Sequence, residues 1–182
     1  MYFESHAHYD DPAFDADRHE LLKNLLPEAG VEYIINSASD IASSYAGLDL
    51  AREYGCVYAA VGVHPHEVKD MTPGDLVTLE KLAGFEKAVA IGEIGLDYYY
   101  DHSPRELQRC WFLEQLLLAF RLDMPVIIHS RDAAKETFDI IKESGVRKGV
   151  VHCYSGSVEM AREYVKLGFY IGIGGVLTYK NA

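Results

Sequence analysis

The chain has 182 residues, enough for one sizeable core, and its 49% hydrophobic and 25% charged residues exclude the disordered and fibrous classes. The formal net charge of −11 argues against a general binder of polyanions; an anionic substrate would need a local positive feature, such as a bound metal ion. No apolar run approaches the ~20 residues of a membrane span, and Glu4 and His6 interrupt the start where a signal peptide would be basic and then apolar, so a cytoplasmic location is expected.

Short β-branched or apolar runs alternate with helical stretches. The strand candidates are 2–9, 33–39, 57–64, 88–95, 125–131, 149–155 and 170–177; the helix candidates are 16–28, 41–54, 73–85, 104–122, 132–144 and 157–167. In 104–122, Leu107, Cys110, Leu113, Leu117 and Phe120 recur at spacings of three and four, which places them on one face. Ser103 reads as its N-cap, with Pro104 at the first helical position and Glu106 completing a capping box. The helix at 157–167 starts after Ser157 as N-cap, with Val158, Ala161 and Val165 on one side and Gly168 past its end. Cys56, Cys110 and Cys153 are odd in number and widely spaced, which is neither a disulfide framework nor a paired-cysteine zinc motif. Cys56 and Cys110 read as small core residues, and Cys153, alternating with His152, reads as packed under a helix.

Unbroken strand–helix alternation means parallel strands joined by crossovers, which leaves an open doubly wound sheet or a (β/α)₈ barrel. A nucleotide-binding open sheet calls for a glycine-rich turn after the first strand, and here that strand ends in histidines. With about seven strands and six helices, the chain falls short of the eight strands of a barrel.

The polar residues collect at one end of these strands. His6 and His8 end the first strand, His64 and His66 the third, Glu93 lies in the fourth, His129 and Arg131 end the fifth, and His152 lies in the sixth. Six of the eight histidines fall in this set, and His19 and His102 do not. The carboxyl end of parallel strands is where α/β folds build their sites. His6 and His8 alternate with Ala7, so their side chains share a strand face about 7 Å apart. With Glu93, His129 and His152 they make a candidate metal site whose imidazole-rich chemistry suits zinc, manganese or iron better than calcium. Glu93 stands in an otherwise apolar strand, where an unpaired charge is costly and a metal would compensate it; its two oxygens can bridge two ions. Arg131 is suited to a phosphate oxygen, and Tyr98 and Tyr99 to stacking on a base or donating to a phosphate. Read singly, the histidines could equally be exposed or satisfied by backbone.

With these residues assembled, the chain resembles the TatD family of metal-dependent deoxyribonucleases. The segments SHAHYD, GVHPHE, GEIGLDYYYD, PVIIHSRDA, VVHCYSG and YIGIGGVLTYKNA carry the resemblance in order along the chain. It implies a (β/α)₈ barrel of the amidohydrolase-like superfamily and hydrolysis of phosphodiester bonds in DNA by exonuclease action. It implies two divalent ions (zinc, manganese or magnesium), DNA ends or short single strands as substrate, no membrane partner and a cytoplasmic location. Mapped by motif, His6, His8, Glu93, His129 and His152 would hold the metal, with Glu93 catalytic. His64, His66, Arg131 and Tyr98 would contact substrate. The family pattern has an aspartate before the first histidine pair, where this chain has Glu4 and Ser5. It also has a metal-binding aspartate in an ETD-like motif at the end of the last strand, and the last acidic residue here is Glu163. The expectation is therefore a single domain over 1–182, an incomplete barrel without its C-terminal strand and helices, open to self-association through its edge strands. A related barrel hydrolase of small phosphoesters, amides or lactones, or a chain that only binds metal, are the alternatives. Against the former stands the absence of a lysine between Lys87 and Lys135, where such enzymes carry a bridging carboxylated lysine.

Overall fold

A computed structural model describes residues 1–180. The strands are β1 (Tyr2–Ala7), β2 (Val31–Ser37), β3 (Val57–Val61), β4 (Ala88–Asp97), β5 (Val126–Arg131), β6 (Gly149–Val151) and β7 (Phe169–Ile171). The first helical segment, α1, runs through Arg18–Glu20, a wider π turn at Leu21–Leu25, and Leu26–Glu28. The others are α2 (Ile41–Glu53), α3 (Pro73–Ala83), α4 (Arg105–Arg121), α5 (Ala134–Ser144) and α6 (Val158–Lys166).

All seven strands are parallel and lie in sequence order, β1 to β7. A doubly wound sheet reverses its strand order at a switch point. Sequential order with right-handed crossovers instead puts every helix on one face and curls the sheet into a barrel wall. The main core lies between sheet and helices, with Leu22, Ile34, Leu48, Leu79, Ile91, Phe112, Leu116, Ile128, Ile141, Tyr164 and Phe169 all buried. On the concave face Ala60, Ala90 and Ile127 form a small second cluster. Below it opens a groove of about 990 Å³ between β1 and β7, lined by Phe3, Tyr33, Tyr58, Val150, Tyr170 and Ile173 among others.

Several local expectations are corrected. Strand six ends at Val151, because Cys153 turns into the left-handed region at φ 44°. Its sulfur lies against Gly174 and the residue is exposed, not packed under a helix. Strand seven covers only Phe169–Ile171, and Gly175–Thr178 forms a 3₁₀ turn where a strand was expected. In α4 the apolar series faces outward: Leu107, Cys110, Leu113 and Phe120 are exposed. The face turned to the sheet is Gln108, Phe112, Gln115, Leu116 and Ala119, at the same spacings. Cys110 is therefore a surface residue, while Cys56 is half-buried. Ser103 does not cap α4. Its hydroxyl donates to the His66 carbonyl at 2.8 Å and accepts from the Lys69 amide at 3.2 Å. Ser157 caps α6 as expected, accepting from the Met160 amide, but Val158 and Val165 face solvent and Tyr164 is the buried residue.

Candidate metal centre

Glu93 is the hub of the site. β4 carries it in the middle of an apolar, buried strand, and the residue is 2% exposed. His6 Nε2, at the end of β1, lies 2.8 Å from Glu93 Oε2, and His8 Nε2, in the turn that follows, lies 3.5 Å from the same oxygen. His129 Nδ1 from β5 and His152 Nε2 just past β6 lie 2.8 and 2.5 Å from Glu93 Oε1. His6 and His152 stack with centroids 3.9 Å apart, and His129 Nδ1 faces His152 Nε2 at 3.3 Å. Four histidines from three separate parts of the chain thus converge on one carboxylate.

Placing β4 this close to β5 requires Gly95. Its register partner is His129, and a Cβ there would stand 1.9 Å from the His129 carbonyl oxygen. On the β1 side, Asn36 is fully buried. Its amide accepts from the Tyr9 backbone at 2.6 Å and donates to Asp10 at 2.8 Å, and Arg18 binds the carbonyls of Tyr9, Asp10 and Asp11. That network fixes the turn carrying His8.

A second buried acid, Asp97, completes the site, and the sequence reading missed it. It is 1% exposed. Its Oδ2 meets His66 Nε2 at 2.8 Å and His129 Nε2 at 3.1 Å; its Oδ1 accepts from the amides of Tyr99 and Tyr100. His129 therefore joins two carboxylates. The signal was present: Asp97 is four residues past Glu93, on the same strand face, and is again an acid following an apolar run.

The charges are set by this packing. Burial opposes ionisation of Glu93, but hydrogen bonds from His129, His152, His6 and His8 outweigh it and hold the carboxyl well below the usual range. Burial also opposes ionisation of Asp97, and the Tyr100 amide, His66 and His129 bring it down to about 2. Burial keeps His6 and His64 neutral, His64 with a pKa lowered to about 3. His152 is raised to about 9, Cys153 and Glu93 outweighing its burial, and His8 is raised mainly by its hydrogen bond to Glu93.

The donor set fits a divalent metal ion. Ligand atoms of His6, Glu93 and His152, and of His64, Glu93 and His129, lie within 4.8 Å of one another. Glu93 is ionised and His6 neutral, as a transition metal requires, and binding would displace the proton that His152 carries. His152 Nδ1, the ring nitrogen not facing Glu93, is buried without a hydrogen-bond partner. His64 differs from the rest. Its Nδ1 accepts the His66 amide at 3.2 Å, so the proton of the neutral ring sits on Nε2, 3.7 Å from Glu93 Oε1. That makes it a donor.

The other expected contacts divide. Arg131 is exposed, with its guanidinium 4.0 Å from the Tyr99 ring centroid and 4.7 Å from that of Tyr100. It forms no ion pair among the described residues. Tyr98, expected at the substrate, is engaged elsewhere: its hydroxyl donates to Glu136 at 2.7 Å and accepts from Arg109, and Arg105 covers its ring. Tyr99 and Tyr100 are the exposed rings beside the site. His102, outside the expected set, lies 4.7 Å from the His66 ring; His19 bonds the Tyr54 hydroxyl instead.

Comparison with known proteins gives one consistent result. A family model described as TatD related DNase matches residues 3–182. The metal-dependent hydrolase YabD of Bacillus subtilis (strain 168) is 41% identical over 184 residues, covering all of this chain and 72% of that protein. Deoxyribonuclease Tat-D of Schizosaccharomyces pombe is 36% identical, covering 91% of this chain and 60% of that protein. Among solved structures, the TatD homologue YjjV of Escherichia coli K12 superposes with a TM-score of 0.92 at 38% identity, covering all of this chain and 71% of that one.

Proposed function

The chain belongs to the family of TatD-related DNases, and from that premise we propose that it hydrolyses phosphodiester bonds of DNA, as an exonuclease on free ends or short single strands. The observation that supports this reading is the convergence of His6, His8, His129 and His152 on both oxygens of buried Glu93. These five residues would hold two divalent ions, zinc, manganese or magnesium, and Glu93 would be the catalytic carboxylate. A divalent ion bound there lowers the pKa of water and offsets charge on the phosphate.

The chain's own side chains do the rest. Glu93 stays ionised against its burial and so keeps the imidazoles oriented. Neutral His64 presents its Nε2 proton toward the site and can donate to a phosphate oxygen. Asp97 fixes the His66 ring beside it. Arg131, whose guanidinium lies over the Tyr99 and Tyr100 rings and forms no ion pair among the described residues, can donate to a second phosphate oxygen. These donors would bind the charge that grows on the phosphate as the P–O bond breaks. A substrate held at one small positive focus, on a chain of net charge −11, favours ends over long duplex tracts.

The enzyme is proposed to be cytoplasmic; among the described residues no helix is long and apolar enough to cross a membrane. Residues 1–182 are proposed to belong to one domain, which associates with itself through the unpaired edges of β1 and β7. The functional test is cleavage of end-labelled single-stranded DNA beside a small chromogenic phosphodiester. Chelator should abolish cleavage, added divalent metal should restore it, and DNA should be preferred. Cleavage that persists without metal, or turnover of the small ester alone, would refute the proposal.

A further inference from the structure

The ladder between β3 and β4 pairs residues only as far as Val61 with Ile91. The ladder stops there because β3 ends at Val61, although Gly62 still packs against the backbone of Gly92. Buried backbone N–H and C=O groups past that point have no partner across the β3–β4 ladder and must be satisfied elsewhere. Two side chains of α4 satisfy them. Gln115 accepts from the Val63 amide at 2.8 Å and donates to the Val63 carbonyl at 3.0 Å. Gln108 accepts from the Asp97 amide at 2.9 Å and donates to the Asp97 carbonyl at 3.1 Å. Both glutamines are fully buried. Seven residues apart, they stand on one helix face, about 10.5 Å along the axis.

Gln108 also closes a ring of contacts. Its amide donates to the Ser103 carbonyl at 2.8 Å, the Ser103 hydroxyl donates to the His66 carbonyl, and the His66 ring meets the Asp97 carboxylate at 2.8 Å. Asp97 and His66 are thus tied together twice, once through side chains and once through the helix. An apolar pair at these positions would pack the helix as well; buried, fully satisfied amides add a defined register between the parts they join.

We propose that Gln108 and Gln115 are positioning residues that set the His64–His66 loop against Asp97, and with it the spacing of the metal centre. What the centre does rests on the function proposed above; the positioning itself rests on the hydrogen bonds. Substituting Gln108→Met and Gln115→Met removes the bonds and keeps the volume, and Ser103→Ala opens the ring without touching α4. The readouts are hydrogen exchange of the metal-free protein, zinc affinity by competition with a chromophoric chelator, and kcat against KM on DNA. Q108M should raise exchange about tenfold or more in 64–70 and 97–103 while protection of β5 and α5 stays unchanged. It should weaken zinc binding about 10–100-fold and lower kcat more than it raises KM. Q115M should loosen the chain around Val63 and leave 97–103 protected. S103A should reproduce the loosening at 66–70 even where Q108M fails to fold. Unchanged exchange and zinc affinity in S103A and Q115M, or a uniform rise in exchange across the sheet, would overturn the proposal. A wild-type protein inert toward DNA, with variants that still show this exchange pattern, would refute the proposed function and leave the positioning role standing.

Discussion

Glu93 keeps its charge in a place that opposes it, and the histidines around it share the consequence. Without metal, His152 has a pKa of about 9 and His8 is also raised, so the proton stands where a cation would. Zinc binding near pH 7.5 should therefore release at least one proton, measured as the dependence of calorimetric enthalpy on buffer ionisation; zero release would count against His152 as a ligand. Stability should follow pH in two directions. His64 drops from 6.5 to about 3 on folding, so its contribution is complete above 6.5 and is lost as pH falls toward 3. His152 rises from 6.5 to about 9, so its contribution is complete below 6.5 and is lost as pH rises through 9. Urea midpoints of the metal-free protein should fall on both sides, and His64→Asn should flatten the acid limb only. At this scale the sequence showed Glu93 because a lone acid in an apolar strand is conspicuous. It hid Asp97 because the fourth strand was read as ending at 95, which assigned DYYYD to a loop, whereas β4 runs to Asp97.

Helix α4 shows how periodicity can identify an element and mistake its face. Leu107, Leu113 and Phe120 repeat at helical spacing, and so do Gln108, Phe112, Gln115 and Ala119. Counting apolar residues chose the first series. The second is buried because its glutamines bond strand-end backbone, a partnership no local pattern reveals. Leu116→Ala should then cost about 2–5 kcal/mol, and Leu113→Lys no more than about 0.5 kcal/mol, by urea denaturation. Equal costs would mean the helix is turned the other way. Gly95 makes a sharper demand. Gly95→Ala meets the His129 carbonyl and must push β4 from β5, so it should destabilise by about 1–3 kcal/mol and weaken zinc binding together.

Across the whole molecule, strand order and the end of the sheet that carries the histidines followed from alternation and from where each polar residue falls in its run. The short β6 and β7 did not, because the left-handed turn at Cys153 and the glycines after Ile171 end pairing that composition alone would extend. Among the described residues the outer edges of β1 and β7 have no strand partner, and Tyr2, Phe3 and Tyr170 are 68%, 59% and 79% exposed beside an apolar groove. Light scattering should show a mass above 20.4 kDa that rises with concentration, and Phe3→Lys with Tyr170→Lys should lower it; a concentration-independent monomer would refute association through these edges. The metal centre stands at the other end of the same strands, and its hub gives the most direct test of the functional account. The rate of cleavage of end-labelled single-stranded DNA, titrated with divalent metal, should saturate for the wild-type protein and fall at least about 100-fold for Glu93→Gln at every metal concentration. A Glu93→Gln protein that cleaves at the wild-type rate would contradict it.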